Sequence, residues 1–121
     1  MGGYGSLRGP RETDPLDPSM WRTDFLRGSA HRRLNEFDEA IIYGRKACQG
    51  EGDATYLTHM QLAATLALAG IREEANACCT RAIEREPALS ISWLQDAFAG
   101  GSEAAFQELV EGLRVAGLRE V

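Results

Sequence analysis

The chain has 121 residues, is 44% hydrophobic and carries a formal net charge of -5, which allows one modest core and leaves no room for a second domain of ordinary size. The charge is uneven: residues 1–46 hold 8 basic and 7 acidic side chains and residues 47–121 hold 5 and 11, so the C-terminal part repels phosphate backbones, which argues against a nucleic-acid binder. No apolar run approaches the roughly 18 to 20 residues that span a bilayer, no apolar signal core opens the chain, and three cysteines without framework spacing fit a reducing compartment. The expectation is a cytoplasmic protein without a membrane or nucleic-acid partner.

The opening "MGGYGSLRGPRETDPLDPSM" is rich in Gly and Pro and poor in core-sized aliphatics, so residues 1–16 read as a flexible lead-in to a helical domain over 17–121. Gly3 and Gly5 resemble the start of a dinucleotide fingerprint, but Arg8 stands where its third glycine belongs. Asp17 and Pro18 supply a capping carboxylate and a residue tolerated in the first turn, and the first helix is expected to begin there, with "SMWRTDFLRGSAHRRL" as its body. Asn35 is the expected cap of a second helix, "EFDEAIIYGRKACQ". The loop "GEGD" follows, with Asp53 placed to cap "ATYLTHMQLAATLALAG", a third helix stopped by Gly70. "IREEANACCTRAIERE" makes a fourth, stopped at Pro87. "ALSISWLQDAFA" makes a short fifth, broken by Gly100 and Gly101, and Ser102 can cap a last helix that Gly117 ends. On that last helix Phe106, Leu109, Val110 and Leu113 share one face, the expected cover for the fourth and fifth helices. Nowhere does the pattern alternate as a strand does, so the fold class is all-α.

Compared with itself, the chain matches at an offset of 35 residues: Glu39-Ala40 falls on Glu74-Ala75, Lys46-Ala47 on Arg81-Ala82, Gly28 on Ala63 and Asn35 on Gly70. That period is within one residue of the 34 of a tetratricopeptide repeat. The unit from Tyr56 to Leu89 resembles that family through Leu62-Ala63, Leu66, Gly70, Ala75, Ala82 and Pro87. The unit from Trp21 to Asp53 resembles it through Gly28, Phe37, Ala40, Tyr43 and Ala47, with Arg27 in place of the usual leucine and no closing proline. The resemblance implies a short helix-turn-helix solenoid: repeats at about 21–53 and 56–89, a degenerate third, and a capping region over 90–117.

A narrower resemblance joins "DPLDPSMW", the repeats, the Gly-rich break and the ending Leu113-Arg114-Val115-Ala116-Gly117-Leu118. These are similar to the C-terminal tail of bacterial proteins in which such repeats follow an adenylate cyclase or winged-helix regulator domain. Neither of those domains is present in this sequence. The repeat family implies a protein-interaction scaffold, with a detached regulatory tail as the alternative. Its geometry places the first helix of each unit along a concave groove, here Arg22, Phe25, Ser29, Arg32 and Arg33 beside Leu57, Met60, Ala64 and Leu68. A basic, aromatic half and an apolar half suit a peptide or helix with acidic and hydrophobic anchors. Self-association through the repeat ends is a further possibility.

Catalytic, cofactor and metal functions find little support. Cys78 and Cys79 share a helical face with Ala75, Ala82 and Ile83, where a small side chain lets helices approach and free cysteine behaves as a small hydrophobe. A zinc site needs four ligands at regular spacing, whereas Cys48, Cys78, Cys79, His31 and His59 are irregularly placed. The two histidines are expected on inner helix faces as packed imidazoles. Ser29 and His31, two residues apart on a helix, diverge. Asp38-Glu39 and Glu73-Glu74 begin helices, where anions favour the dipole. The adjacent guanidiniums of Arg32 and Arg33 could grip a carboxylate or phosphate.

Overall fold

A computed structural model describes residues 20–98 and 103–121. The lead-in, the Asp17-Pro18 helix start, the Gly100-Gly101 break and the Ser102 cap lie outside these residues. The described chain is all-helical, without a strand: α1 (Trp21–Arg33), α2 (Phe37–Ala47), a 3-10 turn (Gly50–Ala54), α3 (Tyr56–Leu68), α4 (Arg72–Arg85), α5 (Ile91–Ala97) and α6 (Ala104–Ala116).

Helix ends follow local chemistry, not always at the residues the sequence pointed to. The Thr55 hydroxyl accepts from the Leu57 N–H at 3.2 Å and so caps α3, and Ser90 caps α5 by accepting from the Trp93 N–H at 3.0 Å. Asp53, expected to cap α3, lies in the 3-10 turn, two residues before the capping position, and its oxygens serve other partners. The "GEGD" segment is therefore a tight turn, packed so closely that a Cβ on Gly52 would lie 1.8 Å from the Ala47 carbonyl oxygen. Asn35 closes α1 instead of capping α2. It takes a left-handed φ of 61°, and the Glu36 N–H reaches the His31 carbonyl at 2.9 Å. Gly70 does the same for α3, with φ 88° and Ile71 N–H to Leu66 carbonyl at 2.8 Å, and Gly117 for α6, with φ 99° and Leu118 N–H to Leu113 carbonyl at 2.9 Å. All three are the six-to-one closure that follows a left-handed residue.

The 35-residue offset is visible in these bounds: α1 runs from 21 to 33 and α3 from 56 to 68, and the left-handed residues are 35 and 70. Within each helix pair, small residues sit where backbones meet. A Cβ on Gly28 would stand 3.3 Å from the Ala40 carbonyl oxygen and the Gly44 nitrogen, and in the second pair Ala63, Ala75 and Ala82 are fully buried. Cys78 and Cys79 are buried in the same core, as the packing argument requires.

The central element is α3, whose residues from Thr58 to Ala67 are all buried between α2, α4 and α6. The last helix was expected on the fourth and fifth helices. It lies instead chiefly along α3, with lesser contact to α4 and α5. Gly112 is the physical reason: a Cβ there would fall 2.8 Å from the Ala64 carbonyl oxygen, so its absence lets the two backbones touch. Val110, Leu113, Ala116 and Leu118 are buried by this contact, while Phe106 and Leu109 pack against its edge. Beyond α6 the tail turns back, and the carbonyls of Arg119 and Glu120 accept from the Ile91 and Ser92 N–H groups at 2.9 and 2.8 Å. Free amides of the first turn of α5 are thereby satisfied.

Candidate interaction groove

The nine residues expected to line a groove come from α1 and α3, and the structure separates them by exposure. Arg22 and Arg33 are exposed, Phe25, Ser29, Leu57 and Leu68 are half-buried, and Arg32, Met60 and Ala64 are buried. An open groove reaching Arg32, Met60 and Ala64 is not what the chain forms: all three are buried, and α6 lies against Ala64 and faces Arg32. Arg32 and Arg33, expected to act as a pair, diverge to buried and exposed positions. Consecutive residues on a helix point about 100° apart, which only a tertiary cover turns into opposite environments. Arg22 lies with its guanidinium 5.0 Å from the centre of the Trp21 ring, and Trp21 meets Phe25 edge-on at 6.4 Å, giving a basic aromatic corner at the start of α1.

At the other end of α1 a polar junction joins three helices. The Arg32 side chain is only 3% exposed, and its Nη1 donates to Gln61 Oε1 on α3 at 2.7 Å. Its Nε faces Glu108 Oε1 on α6 at 3.6 Å, longer than the roughly 2.7 to 2.9 Å of a charge-assisted hydrogen bond. Arg32 Nε and Glu108 Oε1 meet only as this ion pair, and Gln61 Nε2 is buried without a hydrogen-bond partner, which for a buried amide costs about 1 to 3 kcal/mol. Burial lowers the Arg32 pKa, with Glu108 opposing the shift and Arg33 adding to it. The junction thus holds a desolvated cation whose carboxylate partner stands slightly too far away.

The opposite half of the contact is tight. Ala64 meets Gly112 backbone to backbone, and Asn76 Nδ2 on α4 donates to the Ala116 carbonyl at 3.1 Å. Gln61, Glu108 and Gly112 are site residues that no motif or spacing in the sequence singles out. Gly112 carried the legible signal, since a glycine inside an amphipathic helix is tolerated where a backbone comes close.

Both histidines and Glu74 have structural partners, and the thiols are screened by burial. His59 is buried, with Nε2 2.9 Å from the Asp53 carbonyl and 3.3 Å from its carboxylate, and Arg85 clamps the same residue through Nη2 at 3.1 Å. His31 turns toward α2, stacked on Tyr43 at 5.5 Å and paired with Glu36 at 2.7 Å. Burial pushes the Cys48 thiol up to about 11 and raises Cys78 and Cys79 as well, which makes all three poor nucleophiles. Glu74 pairs with Arg45 at 2.7 Å. Among the described residues no group of three or more His, Cys, Asp or Glu is placed to hold a metal ion, and no helix is long and apolar enough to cross a membrane.

Comparison of the chain with protein-family models, with curated proteins and with solved structures gives no match.

Proposed function

We propose that this chain is a non-catalytic protein-interaction module of the tetratricopeptide-repeat kind, which holds an amphipathic helix of a partner on the face formed by α1 and α3. One observation carries the reading: α6 lies along α3, with the buried Arg32 of α1 turned toward its Glu108 carboxylate and small residues where its backbone meets that of α3. A surface with this chemistry takes helices by apolar anchors and one directed charge. The recurrence of helix bounds and of left-handed closing residues at an offset of 35 residues supports the repeat assignment. The exposed guanidiniums of Arg22 and Arg33 add attraction for an acidic segment approaching along α1.

Affinity capture from cells that make the chain, followed by titration of the captured partner against wild type and an Arg22→Glu, Arg33→Glu variant at low and high salt, tests the reading. The variant should bind more weakly, by up to about 1 kcal/mol per exposed charge, and with a flatter salt dependence. Failure to capture a specific partner, or equal binding by both proteins at both salt concentrations, would count against it.

A further inference from the structure

Resting on the interaction reading above, we infer that α6 is a built-in occupant of the partner site, displaced by an amphipathic helix whose carboxylate, four residues before a small residue, reaches Arg32 more closely than Glu108 does. The two ends of α6 are held unequally. Its C-terminal end is anchored by the Gly112–Ala64 backbone contact, by Asn76 on the Ala116 carbonyl and by the tail on α5. Its N-terminal half leaves Glu108 3.6 Å from Arg32 and Gln61 Nε2 buried without a hydrogen-bond partner. Glu108 keeps 34% of its side chain exposed and meets the buried Arg32 only at ion-pair distance, so a carboxylate that closes to a charge-assisted bond gains affinity over it. The pattern of α6 defines that competitor: Glu108 for Arg32, Gly112 for Ala64, and Leu109 and Leu113 as apolar anchors. Because the resident helix is tethered, its effective concentration is in the range of about 1 mM or above. A partner must therefore exceed its affinity, and the long contact at Arg32 is where the surplus is to be gained.

The test uses the full chain, labelled with nitrogen-15 and carrying Glu108→Gln, and an unlabelled synthetic peptide of residues 103–121 as the competing helix. As peptide is added up to about 1 mM, the amide signals of Val110, Gly112 and Leu113 in the chain should move to unfolded positions while those of Met60 and Ala64 stay dispersed. The same peptide carrying Glu108→Gln should need at least about five times the concentration for equal displacement. If Glu108→Gln unfolds the chain, the wild-type chain with the two peptides gives the same comparison. Signals of α6 that never move, or two peptides of equal strength, would overturn the inference. A natural partner that binds with the α6 signals unmoved would overturn it too while leaving the interaction reading intact. Displacement by the peptide in a chain that captures no specific partner would do the reverse.

Discussion

Glycines and thiols show how single positions are decided by their neighbours. A methyl group added to a helical glycine gains about 1 kcal/mol of helix propensity, so the sign of the change depends on what the new Cβ meets. At Gly28 it meets backbone atoms at 3.3 Å, at Gly112 the Ala64 carbonyl oxygen at 2.8 Å, and at Gly52, in the 3-10 turn, the Ala47 carbonyl oxygen at 1.8 Å. Urea unfolding should rank the alanine variants accordingly: Gly28→Ala within about 1 kcal/mol of wild type, Gly112→Ala lower by about 1 to 3, and Gly52→Ala lower still. A Gly112→Ala protein as stable as wild type would mean that α6 does not touch α3 backbone to backbone. The thiols make a pH prediction. Burial raises Cys48 from an ordinary value of 9.0 to about 11 and raises Cys78 and Cys79 in the same direction. The folded state then holds its thiol protons to higher pH than the unfolded state, so the Cys48 contribution is intact below about pH 9 and is lost as pH rises toward 11, with Cys78 and Cys79 acting in the same direction. Replacing all three by alanine should lower stability at pH 7 through lost packing, yet flatten the alkaline decline. Parallel pH profiles for the two proteins would contradict the burial of the thiols.

Among the elements, α6 carries the largest consequence. Solenoid units bury their faces only against neighbours, and about three are needed for a stable array. Two helix pairs alone would expose Ala64, against which Gly112 packs, and would lose Val110, Leu113, Ala116 and Leu118 from the core. A chain ending at residue 101 should therefore unfold or self-associate, read by circular dichroism and sedimentation; a helical, monomeric product would show that the cover is dispensable. The Leu113-to-Leu118 ending has a local purpose in this arrangement: Leu113 and Leu118 are buried on either side of the left-handed Gly117, which closes α6.

Across the whole molecule, protection should radiate from α3. Other helices cover it on several sides, whereas α1 exposes Leu26 and Ala30 and α5 has only seven residues. Amide exchange should be slowest from Thr58 to Ala67, intermediate in α4 and the C-terminal half of α6, and fastest in α1 and α5. Early exchange within α3 would be incompatible with a core centred there. The exposed apolar side chains Leu26, Leu34 and Ile42 belong to the first helix pair, the one with no described helix pair before it.

Sequence alone determined what depends on neighbours along the chain: the all-helical class, the six helices to within a few residues, the glycines that stop α3 and α6, the 35-residue offset, and the packing of Cys78 and Cys79. Periodicity and turn chemistry are local, and the hydrophobic effect reads them directly. It could not place the caps. Asn35 is as able to take a left-handed φ as to accept an amide hydrogen bond, and Asp53 was drawn away by His59 and Arg85. Nor could it distinguish an open face from a filled one. Arg32 and Ala64, expected to face a partner, meet the chain's own α6 instead through Glu108 and Gly112. Which helix sits there depends on contacts between residues some 30 to 80 positions apart, such as Arg32 with Gln61 and Glu108. Only the assembled fold brings those together.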